Sequence, residues 1–103
     1  MADDPILTRV RDALRAMYGD NIDRIVLFGS RARGDAREDS DYDVAVFLKS
    51  MPDRWEEMGR LADLRVDLID ETGVFFDLLP FQAEGYEART PLMWEVRGQG
   101  RML

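Results

Sequence analysis

The chain has 103 residues, 46% hydrophobic and 34% charged, enough for one modest core, so residues 1–103 are expected to form a single domain. Its 21 acids against 14 bases leave a net charge of -7, which disfavours broad binding to nucleic acid or to an anionic membrane, although Arg31, Arg33 and Arg37 form a local basic cluster. With no cysteine and no histidine, disulfides, thiolate metal sites and imidazole bases are excluded, and carboxylates must carry any metal.

The chain opens on Met1-Ala2-Asp3-Asp4-Pro5, acidic rather than basic, and no apolar run approaches ~18 residues. Neither a signal peptide nor a membrane span is expected, and a cytoplasmic location fits. Asp4 can cap a helix with Pro5 in its first turn, and Ile6, Val10, Leu14 and Met17 recur at helical spacing until Gly19 stops it. A first strand is expected over about residues 24–28 and a second over about 42–48. After a loop, Asp53 caps a helix ended by Gly73, with Trp55, Met58, Leu61, Ala62, Val66 and Ile69 as its stripe, assigned to the core. A third strand, residues 74–79, carries Asp77 in its interior, and Pro80 closes it or marks a sheet edge. Residues 81–89 are expected to be irregular, Thr90-Pro91 to start a short helix over 92–96, and Gly98 and Gly100 to lead into a frayed end.

Between the first two strands lies the chemistry. Gly29 lets a ligand approach the backbone closely, Ser30 adds a hydroxyl, and the N–H groups that follow favour an anion. Asp41 and Asp43, two apart on a strand, point to one face, where they repel each other unless a cation joins them. Oxygen-only ligands suit magnesium. Asp67 and Asp70 are rival third ligands, but they sit in a helical pattern, whereas Asp77 stands on a strand like the pair. Ser30 as a hydrolytic nucleophile lacks a base, with no histidine and no lysine nearer than Lys49.

Gly29-Ser30, ten residues, then Asp41-x-Asp43, with Asp77 on a later strand, resembles the DNA polymerase β-type nucleotidyltransferase superfamily. The opening Gly-Ser-Arg-Ala-Arg-Gly, the Ser-Asp-Tyr-Asp pair and the Phe-Asp-Leu-Leu strand are similar to its minimal branch, the small nucleotidyltransferases paired with HEPN-domain toxins. The resemblance implies an α+β fold of the α/β type, a small mixed sheet of three to four strands with helices packed on one side. It implies an ATP-dependent enzyme that moves AMP to a hydroxyl, a tyrosine of a HEPN toxin, and so acts as the antitoxin. Asp41, Asp43 and Asp77 are then the catalytic and magnesium-binding acids, Asp77 also drawing the proton from the acceptor. Gly29, Ser30 and Arg31 hold the nucleoside triphosphate; Arg33 could also steady the pyrophosphate, and sequence alone does not separate phosphate from a protein partner as the contact of these arginines. A binding module that silences its partner by covering it, and a small-molecule nucleotidyltransferase of the aminoglycoside type, are the alternatives.

Overall fold

A computed structural model describes residues 4–37 and 40–103; residues 1–3 and 38–39, the acidic start and one step of the motif, lie outside the described residues. Helix α1 (Pro5–Tyr18) starts as its sequence dictates, the Asp4 carboxylate accepting from the Ile6 N–H at 2.8 Å, and stops at Gly19 with φ of 54°. It buries Leu7, Val10 and Leu14, and Met17 stays exposed. Strand β1 (Ile22–Phe28) begins two residues before expectation. It is followed by the single turn of helix α2 (Ser30–Arg33) and by strand β2 (Tyr42–Leu48). Helix α3 (Arg54–Thr72) is capped by the Asp53 carboxylate, which accepts from Trp55 and Glu56, and ends at Gly73 with φ of 73°.

Strand β3 (Phe76–Gln82) runs straight through Pro80, because β3 is an edge strand and tolerates the missing N–H. Within residues 83–89 a 3-10 turn is fixed by Arg97, whose Nη1 donates to the carbonyls of Tyr86 and Ala88. Helix α4 (Pro91–Gln99) is longer than expected, and the chain end does not fray. Arg101–Met102 forms a short strand, β4, on β1, and the Leu103 N–H donates to the Ile25 carbonyl at 2.9 Å.

The sheet order is β3-β2-β1-β4, with β2 parallel to β3 and the other pairs antiparallel. Strand alternation divides its residues between two cores. Ile25, Leu27, Val44, Val46, Leu48, Phe76 and Leu78 pack with Val10 and Leu14 of α1 and with Leu61, Leu64 and Leu68 of α3. Val26, Phe28, Ala45 and Phe47 pack on the opposite face with Met93 and Val96 of α4. Helices therefore cover both faces rather than one. The inner face of α3 differs in part from expectation: Leu61 is buried and Ile69 half-buried as the stripe requires, but Glu57, Leu64 and Leu68 complete the buried face, whereas Trp55, Met58, Ala62 and Val66 are exposed. Glu57 lies beside Tyr18, and burial followed by that carboxylate pushes the Tyr18 hydroxyl well above its ordinary pKa. Among the described residues no helix is long and apolar enough to cross a membrane.

Candidate active site

The end of β1 and the start of β2 meet because their register pairs Phe28 with Asp43. Immediately after Phe28 the backbone turns at Gly29, with φ of 75° and ψ of -159°, a conformation that favours glycine. The Gly29 carbonyl accepts from the Ala32 and Arg33 N–H groups at 3.1 Å each, so the turn closes into α2. A side chain at 29 is excluded twice over, since a Cβ there would run into Asp43 Oδ2. The glycine of the motif is thus the floor on which its second carboxylate rests.

Asp43 is also the register partner of Asp77 across the parallel β2–β3 pair, and both share the sheet face of Ala45, Phe47 and α4. Both are half-buried, and Asp41, just before β2, is exposed. Burial raises the Asp43 carboxyl above its ordinary pKa, reinforced by the charges of Asp77, Asp41 and Glu95 and opposed by Arg33. The four acids therefore share one electrostatic neighbourhood. Among the described residues no three acids stand close enough together to enclose a metal ion. The donor set, carboxylate oxygen throughout and mutually repelling, nevertheless has the chemistry that a hard divalent cation such as magnesium satisfies.

Tyr42, between the two acids, does a different job. Its ring packs tilted against that of Phe76, centroids 5.4 Å apart, and its hydroxyl donates to the Asp4 carboxylate at 3.1 Å, tying α1 to β2. Burial, followed by the Asp4 contact, raises its pKa. Arg31, expected at the phosphates, lies over this ring with its guanidinium 4.4 Å from the centroid and donates to the Ser40 carbonyl at 2.9 Å and 3.2 Å. It braces the loop into β2. Arg33 reaches the acid face, where its Nη1 meets Glu95 Oε2 at 3.0 Å.

Glu95 was not expected from the sequence. The same Oε2 accepts from the Gly29 N–H at 3.1 Å, so a carboxylate of α4 already occupies the backbone donor and the arginine suited to an anion. Its partners lie 66 and 62 residues away, and no local pattern signals such a contact.

The model of the nucleotidyltransferase domain family matches residues 7–91, a span that includes Gly29, the Asp pair and Asp77. The protein adenylyltransferase MntA of Thermococcus cleftensis is 39% identical over 70 residues, 62% of this chain and 69% of that protein. A Methanocaldococcus jannaschii relative is 43% identical over 47 residues, 46% of this chain, and the match spans only about half of that relative, 48%. Among solved structures, a chain of a toxin–antitoxin complex with AMP-PNP superimposes with a TM-score of 0.62 at 27% identity, covering 91% of this chain and 69% of that one. A chain of the tri-AMPylated Shewanella oneidensis HEPN toxin in complex with its MNT antitoxin gives 0.60 at 25% identity, covering 95% and 68%.

Proposed function

The chain belongs to the nucleotidyltransferase domain family, and on that premise we propose that it moves AMP from ATP onto a tyrosine hydroxyl of a HEPN-type toxin, neutralising it as the antitoxin of the pair. The observation that carries the reading is the register Phe28 to Asp43 to Asp77, which joins the glycine turn and two carboxylates on one sheet face. Support comes from what the relatives are: a protein adenylyltransferase in one organism, and antitoxins bound to toxins in the solved complexes.

In this reading Asp41, Asp43 and Asp77 would hold magnesium, which would supply positive charge to the triphosphate oxygens. The Gly29 N–H, Ser30 and Arg33 take phosphate oxygens, Arg33 in the part expected of Arg31 because of the face it occupies. Glu95 leaves the Gly29 N–H as they arrive. The acceptor oxygen bonds to the α-phosphorus while the bond to pyrophosphate breaks, and the Asp77 carboxylate receives the hydroxyl proton.

Incubating the chain with the product of the neighbouring gene, magnesium and each nucleoside triphosphate, then weighing both proteins, tests it. The partner is expected to gain the mass of one or more AMP units with ATP. An unchanged partner that is nevertheless inhibited at equimolar ratio overturns the reading in favour of masking.

A further inference from the structure

Helix α3 carries three ridges, and the fold uses one of them. Glu57, Leu61, Leu64 and Leu68 turn to the sheet. Trp55, Met58, Ala62 and Val66 recur at helical spacing on another side, where Trp55 is 79%, Met58 36% and Val66 59% exposed and Ala62 is exposed as well. Glu56, Asp63 and Asp67 each follow one of these residues, and Asp70 follows the half-buried Ile69. One residue turns the helix by about 100°, so the acids form a third ridge alongside the apolar one. Glu56 is paired with Arg60 at 3.0 Å, whereas Asp63 and Asp70 form no ion pair among the described residues.

Single exposed apolar residues are ordinary on a protein surface, but an aligned ridge led by a tryptophan has the composition of an interface hot spot. Acids border it on one side and Arg54 and Arg65 on the other, so the occupant must be basic along the acid edge. Nucleic acid and anionic lipid are repelled, and a second copy brings the same acid ridge and the same net charge of -7. We propose that the outer face of α3 is the docking surface for the protein partner, and that the partner covers it with an apolar strip edged by lysine or arginine. The proposal deepens the function above and rests on its having a protein partner. The ridge belongs to the helix on the face opposite Asp43 and Asp77, so docking leaves the acid face open to the segment that is modified.

Calorimetric titration of the full chain with the neighbouring gene's product tests it. Trp55→Glu and Val66→Glu are expected to weaken binding at least ~30-fold, the scale of a lost hot spot, with unchanged circular dichroism because both sites are exposed. The triple variant Asp63→Asn, Asp67→Asn, Asp70→Asn is expected to lose about tenfold and to flatten the salt dependence. Unchanged affinity of the ridge variants overturns the proposal, as does no binding by the unmodified chain. A homodimer seen by light scattering and dissolved by Trp55→Glu also overturns it, by making a second copy the occupant. Mass analysis of the same mixtures keeps the two readings apart. A partner that gains AMP while ridge variants bind normally removes the docking surface and leaves the activity. A partner without AMP that no longer binds Trp55→Glu does the reverse.

Discussion

The two faces of the sheet use the same strands for opposite purposes. Under α1 and α3, the even positions of β2, Tyr42, Val44, Val46 and Leu48, are sealed in a core lined by leucine and valine. Under α4 the odd positions read Asp43, Ala45 and Phe47, and the smaller core ends in a group of acids around Gly29. Because alternate side chains leave a strand on opposite sides, seven residues can anchor a fold and present a carboxylate with no extra chain. Stability is concentrated on one face, and the charged cluster, which opposes folding, on the other.

The largest effect that would break this division is on activity. Asp77→Asn is expected to lower AMP transfer by about 10²- to 10⁴-fold, the usual contribution of a proton acceptor, while leaving partner binding and the fold intact. Titrating toxin against antitoxin reads it: the unmodified chain protects at substoichiometric ratio and the variant does not. Equal protection by both, and only at equimolar ratio, would make the acid face idle. On stability, Leu68→Ala is expected to cost about 2–5 kcal/mol in denaturant melts, whereas Trp55→Ala on the same helix stays within about 0.5 kcal/mol. Comparable losses at both positions would mean that the outer ridge is part of the core.

Two smaller effects sharpen the picture of the acid face. Glu95→Gln removes an anion that competes for the Gly29 N–H and Arg33, so ATP is expected to bind about fivefold tighter by titration. Weaker binding would make Glu95 a support for the nucleotide rather than its rival. Finally, the folded Asp43 carboxyl titrates above its unfolded value, so its charge destabilises the fold once pH rises above the ordinary carboxyl range, and this penalty is absent below it. In chelator, Asp43→Asn should therefore melt higher than the unmodified chain at neutral pH, the gap closing on acidification towards about pH 4. A gap that persists in acid would point to packing instead of charge.

What was legible in the sequence was local. Asp4, Asp53 and Thr90 cap helices where their spacing says they should, and Gly19 and Gly73 end them, because caps and left-handed stops are decided within a few residues. Gly29 and the Asp41, Asp43 pair flank one connection between neighbouring strands, and the antiparallel register brings Asp43 to the glycine turn. The rotation of α3 was not legible, since Trp55, Met58, Ala62 and Val66 repeat at the same period as Leu61, Leu64 and Leu68, and only the sheet decides which ridge is inside. Nor were the positions of Arg33 beside Glu95 and of Arg31 over the Tyr42 ring, which depend on which way one turn of helix leans. Glu95 and the pairing of β4 with β1 depend on the fold bringing remote parts of the chain together.

The chain's two tryptophans stand on different helices, and both are exposed. Trp55 leads the outer ridge of α3, and Trp94, 62% exposed, precedes Glu95 on α4. Replacing either one by phenylalanine leaves a single tryptophan, whose emission, excited selectively over that of tyrosine, responds to water and quenchers in its own surroundings. Single-tryptophan variants are therefore expected to give two separable optical channels, one reporting on the outer face of α3 and the other on α4, so that events at the two helices can be ordered in time without any added label.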